Sequence, residues 1–192
     1  AVHKHFQAWQ FRQLVETIGT DFAGIYLDTG NPVYVLENPM TTLEELGRYA
    51  VTVHLRDSVV YEHPRGAAVQ WVPLGEGTVD FPAFISRLGE LNPDVYVYVK
   101  PITGRPPTIL PYLEPDFWKL YPKARAADFS RFLALAKSGR PYEKHVVIED
   151  LYGRAAPPHF QAAVRFQQRE HMERSVRYAK EVLGLGVRWR EG

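Results

Sequence analysis

The sequence predicts an α/β fold built on parallel strands, and three observations carry that expectation. Three short apolar runs, at 22–27, 50–55 and 94–99, each leave directly into polar or charged residues. Segments with helical spacing of apolar residues lie between them. The runs are apolar on both faces, which calls for helical cover, and a parallel pair of strands needs a crossover helix to join it.

The first element is a helix over 6–18, on which Phe6, Trp9, Gln10, Gln13, Leu14 and Ile18 set the period and after which Gly19 closes the last turn. A buried strand at 22–27 is stopped by the turn cluster Asp28-Thr29-Gly30-Asn31-Pro32. Thr41 and Thr42, ahead of Leu43-Glu44-Glu45, read as the N-cap and acidic first turn of a helix running to Tyr49. The second strand, 50–55, runs into Arg56 and Asp57. Asp80-Phe81-Pro82 opens a helix through Leu91, with proline where the missing N–H costs least. The third strand, 94–99, exits at Lys100. Beyond Pro101 the alternation gives way to a proline-rich loop over 102–115, a helix over 128–137 and an extended piece at 145–148. A long helix over 158–183 comes last, ended by Gly184 and Gly186.

Composition narrows the function. With 192 residues and 45% apolar content the chain is the size of one domain and can bury a core. The 23 basic against 22 acidic residues leave a net charge of +1, which offers no footprint for a nucleic-acid partner. No apolar run approaches the roughly 18 residues that span a bilayer, so no membrane partner is expected. The first thirty residues carry no signal pattern. Zero cysteines exclude a disulfide scaffold, a cysteine nucleophile and a thiolate metal site, and agree with a cytoplasmic location. The chain opens Ala-Val-His-Lys without an initiator Met, as a processed chain or a fragment would.

In parallel α/β sheets ligands gather at the carboxyl ends of the strands. Those ends carry Asp28 with Asn31, His54 with Arg56 and Asp57, and Lys100 with Arg105. An aspartate and a neutral histidine on neighbouring strand ends can share one divalent ion. The plainer alternatives are a satisfied core histidine and a turn aspartate that caps its own loop. Elsewhere Gly75-Glu76-Gly77 reads as a loop leading to Asp80, and Glu149-Asp150 as a solvated strand end. His171, Glu173 and Arg174 read as a solvated helix face laced with ion pairs. Tyr112, Phe117, Trp118 and Tyr121 read as packing.

The strings FAGIYLDTGNP (22–32), AVTVHLRDS (50–58) and VPLGEGTVDFPAFISRLGEL (72–91), followed by ITGRPP (102–107), resemble the second half of the sugar phosphate isomerase/epimerase superfamily. These are the xylose-isomerase-like TIM barrels, which also include the endonuclease-IV-type enzymes. The resemblance covers roughly residues 10–110. It implies a (β/α)8 TIM-barrel-like fold of which this chain holds the last three βα units, over 1–110, with a helical C-terminal extension over 111–192 packing on the barrel.

The same resemblance implies an isomerase or epimerase that acts on a sugar, sugar phosphate or polyol. A divalent metal ion (Mn, Mg, Co or Zn) would assist proton transfer through an enediolate. By motif Asp28 falls on the metal aspartate of the sixth strand and His54 on the metal histidine of the seventh. Asn31, Arg56 and Arg105 fall near substrate. Lys100 stands where the eighth strand has a metal-binding, proton-transferring glutamate, and a cation there repels a metal. Lys100 therefore either swings away or pairs with Asp28, or it is a catalytic group in a site rebuilt to work without the ion. The fifth-strand glutamate of the family would lie ahead of the first helix. The expected partners are a small carbohydrate and either a second copy of the chain or the missing half of the barrel. The alternative is a non-catalytic carbohydrate-binding or subunit module. A metal-dependent endonuclease would need more ligands than His63, which alone lies close after the seventh-strand motif.

Overall fold

The computed structural model describes residues 6–151 and 154–186. At its centre a parallel three-stranded sheet runs in the order β1–β2–β5, with β1 at Ile25–Asp28, β2 at Ala50–Leu55 and β5 at Tyr96–Val99. Three helices cover one face of it: α1 (Ala8–Ile18), α2 (Pro39–Leu46) and α3 (Phe81–Leu91). The register sets Leu27 beside Val53 and Val53 beside Val97, and this row points into a core with Leu43, Leu46, Phe81, Phe84 and Leu88. Each of these side chains contributes about 1.5–3 kcal/mol on burial.

The expectation that the strands are covered on both faces is corrected. The row Asp28, His54, Tyr98 and the row Tyr26, Thr52, Tyr96 lie on the opposite face, which is polar and aromatic, and Tyr96 and Tyr98 are exposed. Residues two apart share a strand face, and the apolar composition of the runs concealed that alternation. Among the described residues the sheet stays open, with β1 and β5 as its edges. The architecture is α/β and corresponds to part of a barrel.

A second sheet was not legible. β3 (Asp57–His63) and β4 (Gly66–Val72) form an antiparallel hairpin, and β6 (Thr108–Leu110), inside the expected proline-rich loop, pairs with β4. Gly66 turns the hairpin at φ +149, and a Cβ there would overlap the Leu110 carbonyl. α4 (Ala126–Ser138) lays Phe132 and Ala136 on the hairpin, joined by Val33, Leu36, Val60 and Val69 in a second core. Tyr112, Phe117 and Trp118 pack around this core as expected, with Phe129 edge-on to Tyr112 and Trp118.

Asp57 ties the two sheets together. It was read as a charged strand exit, yet it is buried and accepts from the backbone N–H groups of Ser58, Gly75, Gly77 and Val79 at 2.9–3.3 Å. Four donors satisfy a carboxylate away from water and pin the loop that leads to α3. That loop ends as expected, with Asp80 Oδ1 accepting from Ala83 N–H at 3.1 Å.

Two further expectations change. α2 starts at Pro39 behind Asn38, whose side chain accepts from Met40 N–H, so Thr41 and Thr42 are inside the helix and buried. On α5 (Pro158–Glu181), His171 is buried, and Arg174 reaches across to Glu76 and Tyr142. The helix packs closely enough to add Tyr178 and Ala179 to the first core, which closes the face that was read as solvated. The piece at 145–148 is extended but forms no strand, and the Gln167 amide holds Ile148 through both its N–H and its C=O.

Candidate functional site

The carboxyl end of the parallel sheet brings the predicted residues together. Asp28 and His54 are register partners on β1 and β2, and Lys100 follows β5 with its backbone N–H on the Leu55 carbonyl at 3.0 Å. Asp28 Oδ1 accepts from Gly30 and Asn31 N–H at 3.0 and 3.1 Å, the bonding of a turn aspartate. Its Oδ2 stands 3.1 Å from Arg56 Nε, and the pair is nearly closed to solvent. Thr29 supports the arrangement: its hydroxyl donates to the Arg56 carbonyl at 2.6 Å and accepts from Arg56 N–H at 2.8 Å.

Arg56 also lies 5.7 Å from the centre of the Trp71 ring, and Trp71 packs at 5.3 Å on Tyr34. A Cβ on Gly30 would overlap the Trp71 ring, so glycine lets the hairpin approach the site this closely. Burial pushes the Tyr34 hydroxyl up to about 12, although the guanidinium groups of Arg105 and Arg56 act in the opposite direction.

Sequence reasoning missed Tyr26. Its hydroxyl is hydrogen-bonded to His54 Nδ1 and accepts from Lys100 Nζ at 3.3 Å. The Tyr26 ring meets the His54 ring edge-on at 4.1 Å, and Tyr98 flanks His54 from the other side at 5.5 Å. The signal was available, since Tyr26 lies two positions before Asp28 and so on the same strand face. Trp71 carried no signal, because it reaches the site on a hairpin whose docking is a long-range event.

A cleft of about 290 Å³ runs from the free edge of β1 beneath α1, lined by Phe11, Val15, Ile25 and Leu27 and reaching Asp28 and Asn31. It is a mostly apolar space with a few polar groups, Asp28, Asn31, Glu37 and Thr42 among them, the usual form of a small-molecule site.

Among the described residues, Asp28 and His54 do not make up a full set of donors for a divalent ion. Among the described residues no three His, Asp or Glu side chains converge as a cation site. Asp28 Oδ2 faces a guanidinium and the Tyr26–His54 pair faces an ammonium. Two cations so close repel a third.

The chain belongs to the xylose isomerase-like TIM barrel family, whose model matches residues 2–108. A solved structure described as a xylose isomerase domain protein from Planctomyces limnophilus is 22% identical, with a TM-score of 0.45. The match covers 52% of this chain and 36% of that one, so the chain spans about a third of that relative's length. A search of the curated proteins gives no match. No helix among the described residues is long and apolar enough to cross a membrane.

Proposed function

We propose that the chain carries the proton-transfer site of an isomerase or epimerase acting on a sugar, sugar phosphate or polyol, and that the site works without a resident metal ion. The family includes sugar isomerases and epimerases. The observation that carries the reading is the linked set His54, Tyr26 and Lys100 on the open polar face of the sheet. A phenol and an imidazole in contact can pass one proton between them, which suits removal and return of the hydrogen on a carbon beside a carbonyl. Lys100 sets a positive charge where the enediolate oxygen would develop. Arg56 and Asn31 stand beside Asp28 at this end of the sheet, and with Arg105 they would hold hydroxyl or phosphate oxygens. The open edges at β1 and β5 call for further strands, from a second copy of the chain or from other barrel segments.

The test is incubation in deuterated water, with a chelator present, against pentoses, hexoses and their phosphates. Deuterium entering C1 or C2 is read by NMR. Incorporation that survives the chelator and falls about a hundredfold in Tyr26→Phe and His54→Gln supports the reading. Incorporation that needs added Mn, Mg, Co or Zn overturns the metal-free route.

A second reading is a carbohydrate-binding module, and the Asp28–Arg56 pair favours it because it occupies the aspartate that a cation would need. Calorimetric binding of a sugar with no deuterium incorporation would establish it.

A further inference from the structure

We propose that Lys100 captures the carbonyl of the substrate as an imine, and so provides the electron sink for proton transfer; this rests on the epimerase form of the reading above. Three observations converge on that amine. Lys100 is exposed, while its backbone is held to Leu55 at the end of the sheet, so a mobile head sits on a fixed base. Its Nζ rests on Tyr26, 3.3 Å from the hydroxyl and 5.7 Å from the ring centre. Among the described residues no carboxylate comes within the 4.0 Å of an ion pair with it, in contrast to Lys119, which Asp116 holds at 2.6 Å. An amine without a carboxylate partner, held beside the Tyr26 hydroxyl on the open face of the sheet, has what imine formation needs.

The chemistry balances without an outside reactant. The ammonium first gives one proton to solvent. The nitrogen lone pair then forms a bond to the carbonyl carbon, and the C=O electron pair moves to oxygen, which takes up a proton as the nitrogen gives up one of its two. The resulting hydroxyl leaves as water with a second proton, which the Tyr26 hydroxyl is placed to give. The iminium so formed draws the electrons of the neighbouring C–H bond into an enamine as that hydrogen departs as a proton. Return of a proton to that same carbon from its other face regenerates the iminium, and addition of one water then restores the amine and releases the epimer.

The chain has seven lysines, so the other six serve as internal controls. The full-length protein is incubated with glycolaldehyde or dihydroxyacetone and sodium cyanoborohydride, which delivers hydride to an iminium, and the modified lysines are mapped by peptide mass. Lys100 should be modified about tenfold faster than Lys119 or Lys123, and more slowly in Tyr26→Phe. Lys100→Arg keeps the charge but forms no imine, and should abolish deuterium incorporation while circular dichroism stays native. Uniform modification of all lysines overturns the proposal. So does full incorporation by Lys100→Arg, which would leave the proton-transfer reading standing. Selective capture at Lys100 with no incorporation by the wild type would keep the imine and remove the isomerase reading.

Discussion

Arg56 Nε stands 3.1 Å from Asp28 Oδ2, with Asp28 buried and Arg56 mostly so. The aspartate that a cation would claim is thus already matched to a guanidinium, itself held by Thr29 and Trp71. Removing one partner of such a pair leaves the other as an uncompensated buried charge.

Arg56→Met should therefore destabilise the chain by about 3–5 kcal/mol in urea denaturation. Asp28→Asn should cost less, since an amide oxygen still accepts from Gly30 and Asn31 N–H and Arg56 can turn toward solvent. Equal losses in the two variants would contradict the burial of the pair.

Glu37 predicts a pH dependence. It is buried between Ala8 N–H, at 2.9 Å, and the Thr42 hydroxyl, at 3.1 Å, and burial pushes its carboxyl up to about 7. An unfolded glutamate titrates near 4.3, so the folded chain holds this proton more tightly. The stability it confers is complete below about pH 4 and is lost as the pH rises through about 7, by up to about 3 kcal/mol. Melting of wild type and Glu37→Gln between pH 4.5 and 7.5 should show the wild type losing ground to the variant as pH rises. Parallel curves would show that Glu37 titrates normally.

Gly30→Ala should cost about 1–3 kcal/mol, because its new methyl overlaps the Trp71 ring and crowds Arg56 Cβ at 3.0 Å. A change in the near-ultraviolet circular dichroism of tryptophan should accompany it. A native spectrum with unchanged stability would mean that the hairpin does not lie against the site.

Asp57→Ala removes the acceptor of four backbone N–H groups and should cost more than about 3 kcal/mol. Amide hydrogen exchange at Gly75, Gly77 and Val79 should accelerate well beyond that of β2. Unchanged protection there would overturn the anchoring role.

The strand exits were legible, and with them Asp28, His54, Arg56 and Lys100, because a short apolar run that breaks into charge is a local pattern. The hairpin was hidden by the same habit of reading. Asp57 looked like the charged end of a strand, although Pro64-Arg65-Gly66 between two β-forming runs was a turn signal. Tyr26 was absorbed into an apolar run, and only its place two residues before Asp28 marks it as part of the site.

The sequence alone determined the parallel α/β scaffold and the family, because apolar runs, helical periods and strand-exit motifs are written within short stretches of chain. Which groups those exits put in contact was decided by the tertiary structure. Lys100 and Tyr26 are 74 residues apart. Their meeting depends on the order and register of three strands, and these follow from how Leu27, Val53 and Val97 pack beneath the helices. The hairpin's docking of Trp71 on Gly30 and Arg56 is of the same kind, since long-range packing chooses among registers that local propensity leaves equal.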